Sequence, residues 1–219
     1  MRGSVVVHSK RDKDLQAARE LLAGLRGQSP DPELRVDAWL LETELLLQKQ
    51  QRKEAEAVFE LALAEFPLDQ RLLYARALAR VAADDLVGAE ADLRRILNAD
   101  PENSQALNAL GYTLADRTDR HVEALGYIER ALALSPGEGA ILDSMGWVLF
   151  RLGRSEEALE YLAQAYEVAS DAEIAAHYGE VLWTLGRHDE AKVIWKKALE
   201  ASPDDSILQE TLRRLAPQW

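Results

Sequence analysis

Residues 104–136 read SQALNALGYTLADRTDRHVEALGYIERALALSP, two helical stretches joined by a polar turn and closed by a proline. Counted back from Pro136, Ala131 stands five residues away, Ile128 eight and Ala124 twelve, the spacing of one helix face. The same offsets recur along the chain. Pro67, Pro101, Pro136 and Pro203 are separated by 34, 35 and 67 residues, the last being two repeats less one residue, with Ser170 in the missing proline's place. Twelve residues before these five points stand Ala55, Ala89, Ala124, Ala158 and Ala191. Eight before stand Phe59, Leu93, Ile128, Leu162 and Trp195, and five before stand Ala62, Ile96, Ala131, Ala165 and Ala198. A length of 219 residues suggests one or two globular domains, but a period this regular replaces that reading with a stack of helix pairs.

Upstream of each second helix come Gly111, Gly146 and Gly179, with Gly153 and Gly186 in the turns between helices. Small residues that let paired helices approach, and a proline that closes the second helix, make the pattern resemble the tetratricopeptide repeat (TPR) family. The resemblance implies an all-α fold, a TPR solenoid forming a right-handed superhelix of about eleven to twelve helices. On this register the repeats are 36–69, 70–103, 104–138, 139–171 and 172–205. Residues 13–35 read as a half repeat, a lone second helix over 13–26. Residues 206–219 read as a closing helix and tail in which Arg213 and Arg214 suit the helix dipole and Pro217 stops the helix, an expected natural end. Residues 1–12 read as leader-like or disordered, since Met1-Arg2-Gly3-Ser4 resembles an expression-vector leader.

Departures from the pattern concentrate in the N-terminal half. Repeat 70–103 carries Arg76, Ala77 and Arg80 where the family prefers a large apolar residue, glycine and an aromatic, and repeat 36–69 has Thr43 for the glycine. Helix packing there is less defined by the sequence. The 35-residue repeat places an extra residue somewhere in 115–121, and the inter-helix loop is expected to protrude. A half repeat at the start leaves apolar surface uncovered, so more repeats are expected to precede it. Leu15, Leu22 and Leu25 of the lone helix should form a face that self-associates or is covered by leader residues.

Three segments carry a narrower resemblance: Leu107–Asp116 (LNALGYTLAD), Leu142–Val148 (LDSMGWV) and Ala175–Trp183 (AAHYGEVLW). They are similar to the C-terminal repeats of bacterial TPR lipoproteins, including a pseudomonad outer-membrane adaptor of a periplasmic carboxy-terminal processing protease. That resemblance implies a scaffold in the periplasm, tethered to the outer membrane in the full-length protein, with the protease and its substrates as partners. Neither composition nor spacing speaks to the compartment, because the absence of cysteine suits cytosol and periplasm alike.

Composition limits the alternatives. Hydrophobic residues make up 47% and charged residues 29%, enough apolar surface to offset chain entropy. Net charge is -12, and residues 101–219 carry 11 basic against 20 acidic side chains. Such a surface repels a phosphate backbone, so nucleic acid is not an expected partner. No stretch approaches the roughly 18 apolar residues of a membrane span, and the start lacks a signal-peptide pattern, so no membrane contact is expected from this chain.

Catalytic equipment is not visible. No phosphate loop, zinc spacing, nucleophile elbow or dinucleotide fingerprint occurs, and His8, His121, His177 and His188 are scattered. His177 and Glu180, at i and i+3, supply two metal ligands where a zinc site needs more, so no metal and no cofactor is expected. Glu156/Glu157 and Asp204/Asp205 read as charges opposing a helix dipole. Arg151, Arg154 and Arg187 read as solvated loop charges.

The informative positions are those that the resemblance assigns to the concave wall lined by first helices. They are Tyr74; Asn108, Tyr112 and Asp116; Asp143, Ser144, Trp147 and Phe150; and His177, Glu180 and Trp183. Two readings stand for the aromatics: anchors facing a groove, or packing between neighbouring first helices. The clamp of Lys, Arg and Asn by which some TPR proteins hold acidic chaperone tails meets only Asn108 here, against Asp116, Asp143 and Glu180. An anionic tail would be repelled, and a protein or peptide segment that is apolar, basic or helical is favoured. The expected function is therefore a non-catalytic scaffold, an adaptor for a protease or its substrates. The alternative is the recognition or regulatory arm of a longer enzyme such as a glycosyltransferase.

Overall fold

The computed structural model describes residues 2–217, with side chains described from Asp14 onward. Met1 and the Gln218-Trp219 ending lie outside the described residues, as do the side chains of the leader stretch expected to cover the lone helix. Every regular element among the described residues is α-helix: α1 (Arg2–Gln28), α2 (Pro32–Gln48), α3 (Arg52–Glu65), α4 (Gln70–Ala82), α5 (Leu86–Ala99), α6 (Ser104–Arg117), α7 (His121–Leu134), α8 (Gly139–Arg151), α9 (Ser155–Val168), α10 (Ala172–Thr184), α11 (His188–Ala201) and α12 (Ser206–Leu215). The helices α2 to α11 form five pairs on the register that the prolines and alanines define. Helical backbone begins at Arg2, ahead of the start expected at residue 13, so the stretch read as leader-like or disordered is helical from its second residue. On α1, Leu15 and Leu22 are half-buried while Leu21 and Leu25 are exposed. No described helix is long and apolar enough to cross a membrane. The chain divides into two compact units, Met1–Ala99 and Asp100–Trp219.

Short polar residues start most first helices. Asp31, Asp69, Asn103, Asp171 and Asp205 each accept a backbone N–H of the first turn, which satisfies donors that have no partner inside the helix. Glu156 and Glu157 lie in the first turn of α9, as expected of charges facing a dipole. The turns inside four pairs share one residue with positive φ at the same repeat position: Gln50, Asp84, Gly153 and Gly186. Repeat 104–138 differs. Its α6 runs a full 14 residues where α4, α8 and α10 have 13, and Thr118 follows in extended conformation, its hydroxyl donating to Leu114 O at 2.6 Å. The extra residue thus lengthens the helix, and the loop expected to protrude is as short as its counterparts.

Each pair of the Asp100–Trp219 unit closes on a glycine of the first helix. A Cβ added to Gly146 would stand 2.5 Å from Leu162 Cγ and 3.0 Å from the Ala158 carbonyl oxygen, and one on Gly111 would stand 2.5 Å from Ile128 Cγ1 and 3.1 Å from the Ala124 carbonyl oxygen. At Gly179 the added carbon would collide with the Trp195 indole. The facing Ala124, Ala158 and Ala191 are fully buried. Behind the last pair, Leu208 and Thr211 of α12 are buried and close the core around Ala175, Leu182 and Trp195.

The Met1–Ala99 unit reaches the same architecture by charge. Arg76, buried in α4, donates from Nε and Nη2 to both oxygens of the equally buried Asp92 in α5, at 2.8 and 2.6 Å, and from Nη1 to Glu60 of α3 at 2.6 Å. Arg80 adds bonds to Asp92 at 2.8 Å and to Glu56. In the preceding pair, buried Glu42 of α2 receives Arg19 and Arg26 of α1 at 2.8 and 2.6 Å, and Arg26 also lies over the Trp39 ring. Thr43, at the glycine position, is buried with its hydroxyl donating to Leu40 O at 2.8 Å. Helix packing that the sequence left undefined is thus set by paired buried charges.

Two stability outcomes are expected. Ala158→Leu should overpack the crossing under Gly146 and destabilise by about 1–3 kcal/mol in urea unfolding; an unchanged midpoint would contradict the assigned face. Asp92→Asn should lose about 3 kcal/mol, because it strands a buried guanidinium, whereas Arg76→Met combined with Asp92→Leu should recover most of that loss. Equal unfolding of the single and double variants would show that the pair carries no buried-charge penalty.

Candidate functional site

The first helices α6, α8 and α10 pack side by side, and five of the residues expected on the inner wall, Tyr112, Asp116, Asp143, Trp147 and His177, meet there in one cluster. Its centre is His177 on α10, only 3% exposed. The Nδ1 atom lies 2.9 and 3.0 Å from the two carboxylate oxygens of Asp143 on α8, and Nε2 lies 3.5 Å from the Tyr112 hydroxyl of α6. Tyr112 donates to Glu173 Oε1 on α10 at 2.7 Å, bridging over α8. Trp147 stacks on the His177 ring with centroids 4.2 Å apart, donates from Nε1 to Asp116 at 3.2 Å, and meets Phe150 at 5.4 Å.

Burial and charge compete in this cluster. For His177, burial acts against the charged ring, yet the hydrogen-bonded Asp143 carboxylate, joined by Glu173 and Asp116, raises its pKa above the ordinary 6.5. Glu173 is raised above 4.5, mainly by burial, although the Tyr112 hydroxyl and His177 pull the other way. Burial, and then the Glu173 charge, push the Tyr112 phenol far up.

The remaining expected residues are placed as follows. Glu180 is buried and receives Arg214 of α12 at 2.5 Å. Ser144 is buried, its hydroxyl donating to Ala140 O at 2.8 Å. Asn108 is half-buried on α6, and its Oδ1 is enclosed with no hydrogen-bond partner. Trp183 is half-buried between His188, with centroids 4.1 Å apart, and Trp195 at 5.5 Å. Tyr74 is half-buried on α4 of the other unit. The aromatics therefore separate. Trp147, 7% exposed, packs between first helices instead of projecting as an anchor, while Phe150 and Trp183 keep accessible surface.

Three participants were missed in the sequence. Glu173 sits in the first turn of α10 and reads there as a dipole charge; only its distance to Tyr112, 61 residues away in sequence, reveals the link. Arg214 reads as a helix-end cation but serves Glu180. Arg151 is half-buried, not a solvated loop charge, and donates to Asp116 O at 3.1 Å. The other two arginines keep the expected exposure: Arg154 pairs with Glu157 and Arg187 with Glu190, each at 2.6–2.7 Å.

Comparison with known proteins finds the same kind of repeat. Two profiles described as tetratricopeptide repeat match residues 102–171 and residues 40–101 with 144–206. TPR repeat-containing protein PA4667 of Pseudomonas aeruginosa is 43% identical over 190 residues, which is 87% of this chain but 32% of that protein. Among solved structures, the thermophilic TPR protein TTC0263 of Thermus thermophilus superposes with a TM-score of 0.71 at 26% identity, covering 83% of this chain and 97% of that one. PilF of Pseudomonas aeruginosa gives 0.62 at 18% identity, covering 84% and 93%. YrrB, a TPR protein with an unusual peptide-binding site, gives 0.52 at 21%, covering 80% and 91%.

Burial of Trp147 sets a further expected outcome. Trp147→Ala should cost about 3–5 kcal/mol of stability in urea unfolding, since it removes the stack on His177 and opens a cavity between three helices. A variant as stable as the parent would return Trp147 to the exposed surface.

Proposed function

The chain belongs to the tetratricopeptide repeat family, and we propose that it is a non-catalytic adaptor whose inner wall holds a segment of a protein partner. The observation that carries this reading is the pair of partly accessible aromatics, Phe150 and Trp183, near the carboxyl ends of first helices whose wall also carries the half-buried Asp116 and Glu173. Aromatic surface beside carboxylates suits an apolar or basic segment and rejects an anionic one. Repeat proteins of this family mediate protein–protein contacts, and YrrB shares the fold and carries a peptide-binding site.

The finer proposal is that the partners are a periplasmic carboxy-terminal processing protease and its substrates. Its support is the similarity of 107–116, 142–148 and 175–183 to pseudomonad TPR lipoproteins, together with the 43% identity to a Pseudomonas aeruginosa TPR protein. The proposed setting is the periplasm, with a tether to the outer membrane in the full-length protein. The mechanism is proximity: two proteins held on one scaffold meet at a raised effective concentration, with no chemistry supplied by the scaffold.

Affinity capture from periplasmic extract tests this reading. The chain should retain a processing protease, and Phe150→Ala should weaken that retention by about 2 kcal/mol, roughly thirtyfold, while melting stays close to the parent. Retention of no protease would sink the adaptor proposal. Retention indifferent to Phe150→Ala would move the binding surface off the inner wall.

A further inference from the structure

Three first helices of the Asp100–Trp219 unit are joined by one continuous chain of titratable side chains. Asp143 on α8 holds Nδ1 of His177 on α10; the opposite nitrogen faces the Tyr112 hydroxyl on α6, and that hydroxyl reaches back to Glu173 on α10. Trp147 lies against the same imidazole and ties α8 to Asp116 of α6. Each helix of the wall is therefore held to the others through contacts that converge on the His177 imidazole.

The groups facing His177 are Tyr112 and Asp116 from α6, Asp143 and Trp147 from α8, and Glu173 from α10 itself. The nearby cations are committed elsewhere: Arg214 of α12 serves Glu180, and Arg151 of α8 reaches the backbone carbonyl of Asp116. With His177 protonated, Nδ1–H donates to Asp143 and Nε2–H points at the Tyr112 oxygen, which leaves the phenolic proton for Glu173. With His177 neutral, Asp143, Glu173 and Asp116 surround an uncharged ring in a water-poor setting.

We propose that this chain is a pH-operated tie: protonated His177 draws α6, α8 and α10 together and closes the inner wall, and its deprotonation releases α10 from α8. The tie is a property of the fold, independent of whether the wall takes a ligand. A histidine raised above 6.5 gives stability that is present in full below about pH 6.5 and lost as pH climbs through the folded value. Glu173, raised above 4.5, contributes a loss of the same sign at lower pH. The wall is thus tight in acid and loosens toward alkaline pH.

Amide hydrogen exchange on the full chain between pH 5.5 and 9, corrected for intrinsic rates, reads the tie without a partner. Protection in α8 and α10 should fall by about tenfold or more as pH rises, while α2–α5 keep theirs. The midpoint should coincide with the titration of the His177 ring followed by NMR, a comparison that needs only the parent protein. His177→Gln should flatten the dependence in α8 and α10. Protection that is flat in the parent, a midpoint away from the His177 titration, or an equal fall in α2–α5 would each overturn the proposal.

Discussion

The separation between the two helices of a pair is set where a glycine of the first meets an alanine of the second, and the rest of the Asp100–Trp219 unit follows from that contact. With no side chain on Gly146 and one methyl on Ala158, the backbones come close enough for Leu162 to fill the space a Cβ would take. Dense interiors tolerate little added volume, so one enlarged residue propagates into the neighbouring pair. Gly179 extends the rule, because its missing Cβ makes room for the Trp195 indole, the largest fully buried side chain of the molecule's described residues. The spacing of first helices on the wall, and with it the reach of Tyr112 to Glu173, depends on these crossings.

The Met1–Ala99 unit shows that the repeat needs a close pair, not a particular chemistry. Ala77 and Thr43 stand at the glycine position and are buried, while Arg76 and Glu42, one residue earlier, carry charge into the interior. A buried charge persists only when its partner lies in good geometry. Asp92 meets that condition by accepting two bonds from Arg76 and one from Arg80. Such pairing adds direction that aliphatic contacts lack, and a guanidinium fork that fits one carboxylate fixes the register of α4 on α5.

This contrast explains what the sequence disclosed. Ala55, Ala89, Ala124, Ala158 and Ala191 recur at one offset because every pair has the same steric requirement, so the helix pairing is legible from spacing alone. Arg76 and Arg80 read as departures because ion pairs obey no period: their partners lie on different helices at separations that depend on the fold. The extra residue of repeat 104–138 misled for a related reason. Insertion reads as loop in the sequence, yet helix geometry absorbs it, with Thr118 closing α6 on Leu114. The contacts among Tyr112, Asp143, Trp147 and His177 were not legible as a network, since Glu173 and Arg214 enter it from helix ends whose local role looks purely electrostatic.

The fate of the aromatics follows from where they sit along each first helix. A large side chain near the middle of such a helix lies within reach of the helix on either side, so neighbours compete with solvent for it. Trp147 is taken up in this way, its ring against His177 of the next helix and its indole nitrogen on Asp116 of the previous one. Phe150, closer to the carboxyl end of α8, meets the Trp147 ring at a tilt and stays half-buried. Aromatic character at an inner position therefore marks helix-to-helix packing at mid-helix and available surface toward the helix end. Under the proposed function a partner would find its apolar contacts toward the ends of the first helices, away from the buried polar groups that join those helices at mid-length.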